Sequence, residues 1–286
     1  MSNIIQKPED NNKVTTQSGN PLNSTRLGNS LQSKIHQKLR EEKAIRDIAL
    51  TVPNRIVLFE DCSGSMITNN KIENLRAAVE SFIINCNFND TSVCHWPFPK
   101  LNEVDELDKE SYTSYTRNRG LTYKPYLTCD PNLLLVFVPN LKAKMGGTPL
   151  KQAMEDVYKD QSLPLTRGII ISDGQPTDGS NNTTKYNCIY GEIYEVADKY
   201  ACGKLDSEGL TSSDSIPLDT IHIGDSKNGE EVLRKIAEIT GGIYIKFTDS
   251  ANFANALHYL TPANRSFLML ASAEDKKNIL GCDEVK

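Results

Sequence analysis

The chain has 286 residues, with 37 acidic and 32 basic side chains and a formal net charge of −5. At 38% hydrophobic and 24% charged it has the make-up of an ordinary globular protein, long enough for one large domain or two small ones. The acidic balance argues against a whole-chain footprint for nucleic acid, and no apolar run approaches the ~18 residues that a membrane span needs. The opening MSNIIQKPEDNNK has no apolar stretch, so no secretory signal is expected. Seven cysteines are scattered without a C-x-x-C pair. That pattern favours reduced thiols in a cytoplasm over a zinc knuckle or a disulfide framework.

Residues 1–28 are rich in Asn, Gln, Ser, Thr and Lys. They carry too little apolar surface to offset the entropy of ordering, so a disordered tail is expected. Over residues 29–52, Leu31, Ile35, Leu39, Ala44, Ile45 and Ile48 recur at three- and four-residue spacing, which predicts a helix ended by Pro53. Residues 55–61, RIVLFED, form a continuous apolar run of strand length, suited to a parallel strand covered on both faces. A turn follows at 62–65. The spacing of Ile72, Leu75, Ala78, Val79, Phe82 and Ile83 predicts a helix over 72–86. Residues 92–98 read as a strand. Residues 100–131 form a polar insertion that carries Tyr112, Tyr115, Tyr123 and Tyr126 among charges.

The apolar run 133–138 has the length of a strand or of a short buried helix. Pro149 opens a helix to about residue 158, since proline is tolerated in a first helical turn. Residues 168–173 repeat the buried-strand pattern, and 180–187 are a polar loop. A helix over 188–201, a strand over 217–224, a helix over 229–240 stopped by Gly241 and Gly242, a strand over 242–247 and a helix over 250–260 follow. Residues 271–286 are charged and read as a short helix or a frayed end. The alternation predicts an α/β fold over residues 53–262. It is a doubly wound, mainly parallel central sheet with helices on both faces, followed by a C-terminal extension at 263–286.

In such sheets ligands sit beyond the carboxyl ends of the strands. Two predicted strands end in an aspartate: Asp61, within DCSGSM, and Asp173, within SDGQPTDG. Between them Gly146-Gly147-Thr148-Pro149 feeds a helix start. Asp61, Ser63, Ser65, Thr148 and Asp173 offer two carboxylates and three hydroxyls. Oxygen donors alone select a hard cation such as Mg2+, Mn2+ or Ca2+. Alternate residues of an extended turn project one way, which suits Asp61-x-Ser63-x-Ser65 to one ion. Taken singly, Asp61 and Asp173 also fit helix N-caps, and Ser63 and Ser65 fit turn residues.

The segments DCSGSM, GGTPL and SDGQPTDG, in that order, resemble the three segments of the metal-ion-dependent adhesion site of von Willebrand factor type A (VWA) domains. The resemblance covers about residues 55–260 and favours the intracellular prokaryotic type. It implies a Rossmann-like VWA fold. Ser63 and Ser65 would ligate the metal through their hydroxyls, with Mg2+ as the expected ion and Mn2+ or Ca2+ as alternatives. Asp61 would contact the ion or orient its water, Thr148 would ligate directly or through water, and Asp173 would act mainly through water. The open coordination position would take an Asp or Glu of a protein partner. Intracellular members serve as adaptors, often beside AAA+ ATPases, and this sequence carries no Walker A pattern of its own. The insertion at 100–131 departs from the family in length and polarity.

The resulting expectation is a cytoplasmic, metal-dependent interaction module without catalysis, membrane contact or nucleic-acid binding. Two alternatives stand beside it. A metal-dependent phosphoester hydrolase would need more carboxylates or histidines to hold paired ions. A Ro-like RNA-associated protein would use the tyrosines of the insertion as stacking platforms. Cys62 reads as a buried thiol, Asp178 as a loop carboxylate or a support to the site, and His36, His95, His222 and His258 as packing or surface residues.

Overall fold

The structure is a computed structural model that describes residues 49–99, 125–143, 146–203, 215–248 and 256–286, with Gln37, Arg40 and Phe253. The expected tail at 1–28, most of the helix at 29–52, His36 and residues 100–124 of the insertion lie outside the described residues. The chain divides into two units, Met1–Lys43 and Ala44–Lys286. In the first, Gln37 and Arg40 are helical and exposed.

The second unit is built on one six-stranded sheet of order β2-β1-β3-β4-β5-β6. Strands β1 (Asn54–Asp61), β2 (Thr91–Phe98), β3 (Arg167–Ser172), β4 (Leu218–Ile223) and β5 (Tyr244–Phe247) are parallel, and β6 (Glu284–Val285) pairs antiparallel with β5. The described α-helices are α1 (Lys71–Asn85), α2 (Pro131–Phe137), α3 (Leu150–Lys159), α4 (Gly191–Ala201), α5 (Lys227–Thr240), α6 (Ala256–Tyr259), α7 (Pro262–Leu270) and α8 (Ala273–Leu280), with 3-10 segments at Gly64–Asn70 and Val138–Asn140. The expected doubly wound α/β fold is observed. No helix among the described residues is long and apolar enough to cross a membrane.

The strands are buried along most of their length, polar residues included, because both faces are covered. In β1, Ile56 and Leu58 enter one core cluster with Ile72, Leu75, Val79 and Phe82 of α1. Val57 and Phe59 enter the other, with Leu150 and Met154 of α3 and residues of α4 and α5. Each fully buried large side chain contributes about 1.5–3 kcal/mol. The run 133–138 is helical in its first five residues, since Asp130 caps α2 by accepting from the Asn132 N–H at 2.9 Å and Pro131 opens it.

The C-terminal stretch is more ordered into the sheet than a frayed end. Pro262 opens α7, Ser272 caps α8, and Leu268, Leu280 and Val285 join the first core cluster. The two-residue β6 is too short for a period-2 pattern to announce it.

The chain leaves β1 for β2 on one side and returns to β3 on the other. This reversal opens a crevice between the carboxyl ends of β1 and β3, the topological switch point.

Candidate metal centre

Strand β1 ends at Asp61, where the Ser63 N–H donates to Asp61 Oδ1 at 2.8 Å. This Asx-type turn sends the chain away from the sheet and into a 3-10 segment, Gly64–Asn70. The turn brings Ser63 Oγ and Ser65 Oγ to 3.0 Å. Ser65 Oγ donates to Asp173 Oδ1 at 2.7 Å, just past the end of β3. Ser172, the last residue of β3, donates from Oγ to Asp61 Oδ2 at 2.5 Å. Each carboxylate is therefore tied to a hydroxyl of the opposite segment.

The third segment reaches the same crevice through two glycines. A Cβ on Gly174 would stand 3.3 Å from Thr148 Oγ1 and 3.5 Å from Ser65 Oγ, so both hydroxyls lie against that backbone. A Cβ on Gly147 would stand 2.4 Å from the Thr177 hydroxyl, so only glycine fits there. The Thr177 N–H donates to the Thr148 carbonyl at 2.9 Å, and the Gly64 N–H to the Gly146 carbonyl at 3.3 Å. The structure thus brings together all five residues singled out in the sequence. Asp61, Ser63, Thr148 and Asp173 are buried and Ser65 is exposed, so the group has a protein floor and a face open to solvent.

The electrostatics are those of a crowded carboxylate pair. Burial pushes the Asp61 carboxyl up to about 6. Hydrogen bonds from Ser172 and Ser63 oppose the rise, and the nearby Asp173 charge adds to it. A cation in the crevice would relieve that cost. No three His, Cys, Asp or Glu side chains among the described residues gather as metal ligands. The two carboxylates and three hydroxyls that meet here are all oxygen donors, which suit Mg2+, Mn2+ or Ca2+ better than a soft metal. The donor set fits a hard divalent ion.

Two residues at the centre, Ser172 and Lys71, carry no assignment from the sequence. Ser172 was visible beside Asp173 but not assigned. Asp178 accepts from the Lys151 and Gln152 N–H groups at 3.0 and 2.8 Å, so it caps α3. Lys71 donates from Nζ to Asp173 Oδ2 at 2.5 Å, and nothing in the sequence near it signals that role. Cys62 is buried, as expected. His222 is also buried, while His95 pairs with Glu60 through Nδ1 and Oε1 at 2.5 Å, away from solvent. Burial raises the Glu60 carboxyl above its ordinary value, and His95 opposes that rise.

Comparison with protein-family models and with curated proteins gives no match. Among solved structures the chain is similar to the ArnB paralog VWA2 from Sulfolobus acidocaldarius, at 19% identity and a TM-score of 0.44, over 73% of this chain and 45% of that one. It is similar to the vWF domain of the type V pili tip protein Mfa5 from Porphyromonas gingivalis, at 12% identity and a TM-score of 0.45, over 79% of this chain and 99% of that one. A third similar structure is the manganese-loaded TRAP protein of Plasmodium vivax, at 16% identity and a TM-score of 0.40, over 70% of each chain. These neighbours are VWA-type or metal-loaded proteins, while the fold assignment here rests on the strand order and crossovers described above.

Proposed function

We propose that this chain is a VWA-type interaction module that holds a hard divalent ion and engages an Asp or Glu of a protein partner through it. The observation that carries the reading is the meeting of Asp61, Ser63, Ser65, Thr148 and Asp173 at the switch point, with Ser65 facing solvent. Ser63 and Ser65 would ligate through their hydroxyls. Asp61 would contact the ion or orient its water, Thr148 would ligate directly or through water, and Asp173 would act mainly through water. The bound ion supplies a positive charge with an exchangeable position. A partner carboxylate that replaces water there loses less by desolvation because its charge is neutralised. Mg2+ is the proposed occupant, with Mn2+ and Ca2+ as alternatives. The seven cysteines are free thiols, which favours a reducing, cytoplasmic setting. There the intracellular resemblance makes an AAA+ ATPase complex the partner class to look for first.

The test is calorimetric titration of Mg2+ into wild type and Asp61→Ala, followed by pull-down from extract with Mg2+ or EDTA. Wild type should bind the ion and retain a partner only with Mg2+. Asp61→Ala, with its circular dichroism unchanged, should lose at least about tenfold in Mg2+ affinity, since it removes a buried charged ligand. Equal affinities in the two proteins would sink the proposal.

A further inference from the structure

Lys71 stands where local preference disfavours it. It is the first residue of α1, at the positive end of the helix dipole, where cations are destabilising. It follows Asn69 and Asn70, both left-handed with φ of 54°. Such residues persist only where the surroundings over-determine them, and asparagine tolerates them best. The result is that its ammonium reaches Asp173 Oδ2 at 2.5 Å, with the Asp173 side chain 1% exposed and the Lys71 side chain 15% exposed. The arm also passes the turn after β4, where a Cβ on Gly224 would meet Lys71 Nζ at 3.7 Å.

This ion pair changes the charge of the centre. Asp61 and Asp173 alone make a site that a divalent ion neutralises. With Lys71 present, the ion-loaded site retains one positive charge, which a single partner carboxylate then neutralises. Without the ion, Lys71 also keeps two buried carboxylates from standing uncompensated. We infer that Lys71 is a tethered counterion that lowers the site's affinity for its divalent ion and raises the ion-loaded site's affinity for a partner carboxylate. The inference rests on the metal reading above and assigns its regulation to a residue outside the ligand set. Like charges near one another in a partly buried site oppose binding strongly, so the effect is large enough to measure.

The two halves of the inference predict changes of opposite sign. Mg2+ is titrated calorimetrically into wild type, Lys71→Met and Lys71→Arg. Acetate is then titrated into each Mg2+-saturated protein and followed by amide shifts in NMR. Lys71→Met should bind Mg2+ at least about tenfold more tightly and its loaded form should bind acetate at least about threefold more weakly. Lys71→Arg, which keeps the charge, should resemble wild type in both. Melting in EDTA checks that each variant is folded, and Lys71→Gln repeats the test should Lys71→Met fail to fold. Unchanged or weaker Mg2+ binding in the neutral variants, with wild type binding normally, overturns the inference alone. Failure of every protein to bind Mg2+ overturns the metal reading, and the inference with it.

Discussion

His222 lies one strand from the centre, in register with Ser172. It is fully buried, and neither ring nitrogen has a hydrogen-bond partner among the described residues. Burial lowers its pKa from 6.5 to about 4; the Lys246 and Lys71 charges push the same way, while Glu230 and Asp173 oppose. The unfolded chain therefore takes up the proton first as pH falls. The stability that neutral His222 allows is complete above about pH 6.5 and is lost as pH falls toward about 4. The shift corresponds to roughly 3 kcal/mol. Asp61 acts with the opposite sign over the same range, because its carboxyl is raised to about 6 and its ionised form burdens the fold as pH rises. The difference between wild type and His222→Leu isolates the histidine. Urea denaturation in EDTA should show wild type losing roughly 3 kcal/mol relative to the variant between about pH 7 and pH 4. Parallel stability curves would show that His222 does not titrate with folding. The sequence showed an isolated histidine; its burial follows from helices covering both faces of β4.

At the scale of elements, α3 depends on a residue from another segment. Its own N-cap position is Pro149, which supplies no side-chain hydrogen bond. The Asp178 carboxylate instead accepts the Lys151 and Gln152 N–H groups, placing negative charge at the positive end of the helix. This bond fastens the loop after β3 to the helix that begins beside Thr148. Asp178→Ala should cost about 1–2 kcal/mol in chemical denaturation, and Asp178→Asn should restore part of it. A loss indistinguishable from zero would mean that water serves the helix end equally well. The reading of Asp178 as a loop carboxylate or a support to the site named the right neighbourhood without its partner. By contrast, the start of α2 was readable in principle from Asp130 and Pro131, because cap and helix adjoin in sequence.

At the scale of the molecule, the C-terminal helices are held to the sheet by a buried charge cluster. Asp219, fully buried near the start of β4, accepts two hydrogen bonds from Arg265 of α7 at 2.8 and 2.9 Å. It also accepts the Ile243 N–H at 2.8 Å and lies 3.5 Å from Arg167 Nε. Burial lowers the Arg167 guanidinium to about 10, with Asp219 opposing. Asp219→Ala would strand these cations and should cost about 3–5 kcal/mol by urea denaturation. Because Asp219 begins its strand while Asp61 ends one, Mg2+ affinity of the folded variant should stay near that of wild type. A loss below about 1 kcal/mol would show that α7 is held by apolar packing alone.

The sequence by itself determined the alternation of strands and helices, the burial of both sheet faces, and the two aspartates at strand ends beside the GGT turn. These are readable because continuous apolar runs, 3.6-residue periodicity, caps and turns are properties of residues close in sequence. The tertiary structure alone decided the order of the strands, the entry of Glu284 and Val285 into the sheet, and the pairs Lys71–Asp173 and Asp219–Arg265, which are 102 and 46 residues apart. Which distant charges meet depends on how the crossovers stack helices around the sheet, and no local pattern encodes that meeting.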